Sequence, residues 1–191
     1  MNRRNIMIAA ATAALAAGLL GGCTTNTGAS ATPAERRAAL DRDIGTAMNT
    51  LYSSTPGSRE LVAKSRGVLV FPKVYEGGLG IGGSYGEGAL QVAGASAGYY
   101  KTTSVSVGLL AGGQSKAVIF LFMTQDALDK FRASSGWTAG ADASVSMIKV
   151  GANGTVDTAS ASNAVSAFVP TNAGLYAGAS VDGTKISKLD L

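Results

Sequence analysis

The sequence contains no histidine and a single cysteine, Cys23, in 191 residues. Histidine is the usual general base of nucleophilic hydrolases, and histidine and cysteine are the usual ligands of zinc and copper. Their scarcity argues against these enzymes and metal sites, so we predict a protein that is not an enzyme and needs no metal or other cofactor. Because there is no second cysteine, the stability must come from a packed core rather than from disulfides.

Charged residues are also few, at 15% of the chain, and they are unevenly placed. Lysine and arginine total 16 against 12 acidic residues, which gives a net charge of +4. Residues 33–73 carry much of this surplus, with seven basic and four acidic side chains. The seven basic residues are Arg36, Arg37, Arg42, Arg59, Lys64, Arg66 and Lys73. The positive charge therefore lies near the amino end of the predicted folded part.

Residues 1–22 have the layout of a secretory signal, with two early arginines, an apolar run over 6–20 and small residues before Cys23. The apolar run is too short and too rich in alanine for a membrane-spanning helix. A short signal that ends at a cysteine resembles the lipobox of bacterial lipoproteins. The resemblance implies that Cys23 becomes the first mature residue and carries a diacylglycerol thioether and an acyl group such as palmitate on its amine. The alternative is an ordinary signal with an incidental cysteine.

Residues 23–32 contain only small and polar side chains, which predicts a flexible tether. A helix follows, because Pro33 suits its first turn and apolar residues recur at helical spacing as far as Leu51. We expect this helix to end near Tyr52 and a second, short helix to occupy about residues 58–64.

After Gly67 the pattern changes to short apolar or alternating segments, which are typical of strands. Residues 117–123 are apolar on both faces and predict a central strand. One helix interrupts the strands, with Thr124 as its N-cap. Turns are expected at Asn153 and Gly154 and at Asp182 and Gly183. The predicted fold class is α+β, with N-terminal helices packed on a curled antiparallel sheet or small β-barrel that carries one inserted helix.

The stretch "GGLGIGGSYGEG", residues 77–88, matches the G-x-G-x-x-G pattern of dinucleotide-binding loops. No helix signal follows it, and no carboxylate lies between Glu87 and Asp126, so the match lacks its structural context. Glycine instead occupies most even positions, while Leu79, Ile81 and Tyr85 occupy odd ones. This alternation predicts a strand with one bare face, suited to sharp curvature or close packing. A lipid-facing groove is the alternative.

Two further motifs match catalytic patterns by chance. "GASAG" places Ser96 in a nucleophile-elbow pattern, but an elbow serine needs a base and the chain has no histidine. "SMIK" matches S-x-x-K with Ser146 and Lys149, but this segment alternates like a strand, where positions three apart face opposite sides. Trp137 is predicted to lie in the core, with an interfacial membrane anchor as the alternative.

Residues 58–191 resemble the SYLF domain, a lipid-binding domain family of bacteria and eukaryotes. The similar segments are "SRGVLVFPKV", "GGLGIGGSYGEGAL", "GYYKTTSVSVGLLAGGQS", "FMTQDALDKFRASSGWTAGADASV", "VGANG" and "AFVPTNAGLYAGASVDGTKI". The resemblance implies phospholipid binding, with phosphoinositides in eukaryotic members and actin association in some fungal ones. It also implicates a basic amphipathic N-terminal helix, to which residues 33–52 and the basic residues as far as Lys73 correspond here.

We therefore predict a lipid-anchored envelope protein whose domain, residues 33–191, binds acidic phospholipid through the seven basic residues. Its predicted partners are an acidic or phosphoinositide-like lipid and the membrane itself, through acylated Cys23, and not nucleic acid. Export places the protein facing the periplasm, and Thr24 after the cysteine resembles outer-membrane sorting signals. The basic residues could instead only solvate helix surfaces. An alternative function is a structural protein that recognises another envelope component through its glycine-rich sheet.

Overall fold

A computed structural model describes residues 31–149, 155–156, 163–171, 174–175 and 180–191. Within its strands, the side chains of residues 79–80, 106–113, 171 and 174 are not described. Pro33–Leu191 form one compact unit. Cys23, the predicted signal peptide and the predicted turn at Asn153 and Gly154 lie outside the described residues.

The described part has an α+β fold, as the sequence predicts. In chain order its elements are α1 (Pro33–Ser54), α2 (Ser58–Lys64), β1 (Gly67–Val92), β2 (Ala95–Phe122), α3 (Gln125–Ala133), β3 (Gly136–Thr138), β4 (Val145–Met147), β5 (Val165–Phe168), β6 (Pro170–Thr171), β7 (Gly174–Leu175) and β8 (Lys185–Lys188). None of the helices in this part is long and apolar enough to cross a membrane.

The first helix forms because its apolar residues make one stripe. Leu40, Ile44, Ala47 and Leu51 recur at helical spacing, and all four are buried. Helix α1 packs with this stripe against β1. The prediction of a helix that begins at Pro33 is confirmed, and the helix continues two residues beyond the expected end at Tyr52.

Strands β1 and β2 form one long antiparallel hairpin that pairs from Gly67 with Phe122 to Val92 with Ala95. The two turn residues, Ala93 and Gly94, have φ values of 52° and 81°. Positive φ at both positions is the geometry of a type I′ turn, which matches the twist of the flanking strands. The hairpin therefore closes tightly, although alanine costs more than glycine in this conformation.

The hairpin bends so that the two ends of β1 stack on each other. A Cβ atom added at Gly88 would lie 2.2 Å from the Val70 carbonyl oxygen, and one added at Gly86 would lie 2.9 Å from the Lys73 carbonyl oxygen. We call residues 67–74, 85–92, 95–103 and 116–122 the base, because the buried core residues of the hairpin lie in these segments. Residues 76–84 and 104–114, which connect the two ends at the bend, are called the ribbon.

The main sheet has the order β3-β8-β2-β5-β4, with β1 also paired to β2. The prediction of an antiparallel sheet holds for every pair in it except β4 and β5, which are parallel. The sheet is therefore mixed, because the chain crosses between β4 and β5 instead of turning back in a hairpin. Strands β6 and β7 form a separate pair.

The carboxyl-terminal half of β2 is the central strand of the core, as predicted for residues 117–123. Phe120 and Phe122 face one cluster of buried residues, which also contains Phe131 and Trp137. Ile119 and Leu121 face a second cluster beneath α1. Trp137 is 4% exposed, so its predicted core position is confirmed. The Thr124 side chain accepts a hydrogen bond from the Ala127 N–H and caps α3, also as predicted.

Candidate functional site

The seven basic residues proposed from the sequence divide into two groups in the structure. Four of them contact other parts of the protein: Arg36, Arg37, Arg59 and Lys73. The other three, Arg42, Lys64 and Arg66, are exposed and have no side-chain partner among the described residues. The role of all seven in lipid binding stays a prediction, and only Arg36 and Lys73 among them form ion pairs in the described part of the chain.

Charged residues of α1 hold the helix on the hairpin. Arg36 lies 3.2 Å from the Glu87 carboxylate, and Lys73 lies 2.9 Å from the Asp43 carboxylate. The hydrogen bond to Asp43 is the main reason that the pKa of Lys73 is raised. Because each of these two cations is matched by a carboxylate of the same domain, Arg36 and Lys73 add little net charge to the surface around α1.

Asp41 extends the same contact between α1 and the hairpin. Its carboxylate accepts hydrogen bonds from the Ser96 hydroxyl at 3.1 Å and from the Tyr99 hydroxyl at 3.2 Å. Burial, followed by the Asp41 charge, raises the pKa of Tyr99. Ser96, the serine of the elbow-like motif, therefore donates to the Asp41 carboxylate and accepts from the Gln91 side-chain amide. These contacts position α1, and they provide no imidazole base.

An apolar groove of about 390 Å³ opens between α1, α2 and the first residues of β1. Ile44, Met48 and Tyr52 of α1 line one side, and Val68 and Arg66 line another. The groove has the size and the mainly apolar lining of typical small-ligand sites. Because the exposed residue Arg66 is part of the lining, the groove combines apolar contact with one positive charge.

A second arginine borders the groove through Tyr52. The guanidinium carbon of Arg59 lies 4.1 Å from the centroid of the Tyr52 ring. Such stacking orders an arginine without using its N–H donors. Burial raises the pKa of Tyr52, and the Arg59 charge opposes this rise. Arg59 and Arg66 are therefore the predicted basic residues that the structure places beside an apolar groove.

The glycine-rich stretch is a strand, and its glycines allow close packing. No helix follows residues 77–88, which continue β1 toward the hairpin turn. Cβ atoms at Gly78, Gly86 and Gly88 would each lie within 3.0 Å of backbone atoms. Gly83 differs, because its nearest neighbour would be at 3.7 Å. The predicted close packing is confirmed at these three glycines, and the arrangement does not fit a dinucleotide-binding loop.

The sequence alternation did not reveal that the opposite face of this strand is uncovered. Ile81 is 70% exposed, and Val105 on the neighbouring strand is 81% exposed. The odd-numbered pattern indicated an apolar face, but only the fold shows that, among the described elements, none buries Ile81 or Val105.

The other catalytic and metal patterns gain no support among the described residues. Ser146 lies in the short strand β4, which ends two residues before Lys149. No group of three or more histidine, cysteine, aspartate or glutamate residues comes together in this part of the chain.

Comparison with known protein families finds a similarity over part of the chain. Residues 103–190 match the family model described as Ysc84, Las17-binding protein actin regulator, which is the SYLF domain. The SYLF family is associated with lipid binding and actin regulation. The match extends from β2 to β8, so α1, α2 and the glycine-rich stretch lie outside it. No curated protein sequence matches the chain.

Proposed function

Because residues 103–190 match the SYLF family model, we propose that this protein is a non-enzymatic, lipid-anchored envelope protein that binds acidic phospholipid. The observation that carries the proposal is the groove between α1, α2 and β1. A mainly apolar lining that includes Arg66, with Arg59 stacked on the lining residue Tyr52, suits a molecule that has both an apolar part and a phosphate.

In this proposal the two arginines bind the phosphate and the apolar residues contact the glycerol and upper acyl carbons. A guanidinium can donate two parallel hydrogen bonds to phosphate oxygens, which a lysine ammonium cannot do in the same plane. Arg59 is already ordered by its stacking on Tyr52, so less side-chain entropy is lost on binding. Arg42 and Lys64 would add attraction to an anionic surface, on the order of 1 kcal/mol each.

The anchor would be Cys23, which lies outside the described residues. Two or more acyl chains hold a protein on a bilayer far better than one. Residues 23–32 can extend at most about 35 Å, so the folded unit would stay close to the membrane surface, facing the periplasm at the outer membrane. Mass spectrometry of the amino terminus from native membranes tests this part. An unmodified Cys23, or an intact signal, would contradict it.

Vesicle flotation of Pro33–Leu191, which form a compact unit without Cys23, tests the lipid site. The vesicles are phosphatidylcholine with or without phosphatidylglycerol. We expect Arg66→Gln to weaken binding to the anionic vesicles by about tenfold, as expected for the loss of a charged hydrogen-bonding pair. Lys130→Gln removes the same charge from α3, where Lys130 is 75% exposed and pairs with Asp126, and serves as the matched control.

Equal losses in the two variants would mean that only net charge matters and would exclude the groove as the lipid site. Failure of the wild-type unit to bind anionic vesicles would contradict the proposed function as a whole.

A further inference from the structure

The ribbon is the part of the hairpin with which no third strand in the described part of the chain pairs. Within the described residues, β2 pairs with β8 at residues 100–103 and with β5 at residues 119–122, and between these it pairs only with β1. The sequence has no charged residue over 77–86 or over 102–115. Apart from Glu76 at its edge, the ribbon is therefore a two-stranded, uncharged segment that extends from the base.

One face of this segment, continued by Tyr85 at the edge of the base, presents apolar side chains to solvent. Ile81, Tyr85 and Val105 are 70%, 45% and 81% exposed. Val105 pairs with Gly83, which lies between Ile81 and Tyr85 on β1, so the three side chains share one face. On the other face the hydroxyl groups of Ser84 and Ser104 lie 2.7 Å apart. The ribbon is thus amphipathic, with its apolar face uncovered.

Lysines lie on the same face where the ribbon joins the base. Lys101 precedes Val105 by four residues on β2, and Lys185 of β8 pairs with Thr103. Both lysines are exposed and have no partner among the described side chains. Glu87, which pairs with Lys101 across the strands, is already matched by Arg36. This end of the face therefore has a positive surplus.

Apolar side chains at one end and lysines at the other match the surface of an anionic bilayer. Four residues of strand span about 13 Å, so Lys101 can lie at the level of the lipid phosphates while Val105 reaches the upper acyl carbons. Lysine stems extend along apolar surface toward charged groups, and a tyrosine is favourable at the boundary. An anionic bilayer presents an apolar layer and a charged layer in this order, whereas the surface of a protein partner has no such fixed order.

We infer that the ribbon inserts the side chains of Ile81 and Val105 into the interface of an anionic bilayer, with Lys101 and Lys185 on the lipid phosphates. The inference rests on the proposed binding of acidic phospholipid and adds a second contact beside the groove. The backbone of a two-stranded ribbon has open edges, whose unpaired N–H and C=O groups cannot enter hydrocarbon. The insertion is therefore limited to side chains and does not span the membrane.

The absence of cysteine from residues 33–191 allows a direct test with single-cysteine variants. Ile81→Cys and Val105→Cys, each in Pro33–Leu191, are labelled with an environment-sensitive fluorophore and mixed with vesicles of phosphatidylcholine and phosphatidylglycerol. Ala133→Cys, exposed at the end of α3, is the matched control. We expect a blue shift and higher intensity at positions 81 and 105, and no change at position 133.

Unlabelled variants give a second readout that keeps β-branched side chains in the strands. Ile81→Thr and Val105→Thr should each weaken flotation with anionic vesicles by about tenfold, because each removes apolar surface that the bilayer would cover. Ala133→Ser should have no effect. Circular dichroism checks that the variants fold, as expected for substitutions at sites this exposed.

The outcomes separate this inference from the proposed function. If the unit floats with anionic vesicles but the labels at 81 and 105 stay in water and the threonine variants bind normally, the ribbon inference is wrong and lipid binding at the groove stands. If the unit does not bind the vesicles at all, both are wrong. If labels at 81, 105 and 133 all shift, the protein associates without a preferred face and the inference is also overturned.

Discussion

The base and the ribbon belong to the same hairpin and are both rich in aliphatic residues and glycine, yet their side chains have opposite environments. Ile119 in the base is fully buried, whereas Ile81 in the ribbon is 70% exposed. The difference arises because α1, α3 and other strands cover the base, while no other strand that the structure describes pairs with the ribbon. An apolar strand therefore becomes core only where the topology supplies a second layer.

Substitution of the two isoleucines should give the largest difference in stability between the base and the ribbon. Ile119→Ala should lower the free energy of unfolding by about 2–5 kcal/mol, because it leaves a cavity in a fully packed cluster. Ile81→Ala should change it by no more than about 0.5 kcal/mol, because the side chain is mostly in water. Urea unfolding of Pro33–Leu191 measures both. Similar losses at the two sites would mean that the ribbon is packed in solution.

Two glycines test whether the backbone is closely packed in the base and open in the ribbon. Gly88→Ala should destabilise the base by about 1–3 kcal/mol, since its Cβ would lie 2.2 Å from the Val70 carbonyl oxygen and force the stacked strands apart. Gly83→Ala in the ribbon should be neutral or stabilise by up to about 1 kcal/mol, because its Cβ has room and alanine loses less entropy. The same unfolding assay applies, and a stable Gly88→Ala protein would show that the base does not stack in this way.

Substitution of two tyrosines should give the smallest change, a change in how stability depends on alkaline pH. Burial raises the pKa of Tyr100 in the base, and burial together with the Glu87 hydrogen bond raises the pKa of Tyr85 beside the ribbon. A raised pKa means that the folded state resists ionisation, so stability is present below pH of about 10 and is lost as the pH rises above it.

The loss should not exceed about 1.4 kcal/mol per pH unit for one tyrosine. Tyr100→Phe should reduce this alkaline slope more than Tyr85→Phe, because Tyr100 is 5% exposed and Tyr85 is 45% exposed. Thermal unfolding between neutral and alkaline pH checks the order, and the reverse order would contradict the assigned burial.

Local patterns predicted much of this fold. The stripe from Leu40 to Leu51 defined α1, the doubly apolar run 117–123 defined the central strand, and alternation identified the glycines that pack closely. Each of these depends on neighbours in sequence, so spacing alone reveals it. The turn at Ala93 and Gly94 was not predicted, because alanine rarely adopts positive φ and only the paired strands impose it here.

The candidate site was predicted less well, because its geometry depends on distant contacts. Arg36 and Glu87 are 51 positions apart, and Lys73 and Asp43 are 30 apart, so the sequence could not show that these charges neutralise each other. The excess of basic residues over 33–73 was evident from the sequence. The fold uses two of them, Arg36 and Lys73, in ion pairs that hold α1 on the hairpin. The exposed apolar face of the ribbon could not be predicted either. It depends on how the strands are arranged in the sheet, which the local sequence does not show.

The most direct test of lipid binding measures how Pro33–Leu191, without any acyl chain, distribute between solution and vesicles at low and high salt. We predict binding to vesicles that contain phosphatidylglycerol, little binding to phosphatidylcholine alone, and partial release by salt, since screening removes the arginine and lysine attraction but leaves the apolar contacts. Equal binding to both vesicles, or no binding to either, would contradict the account.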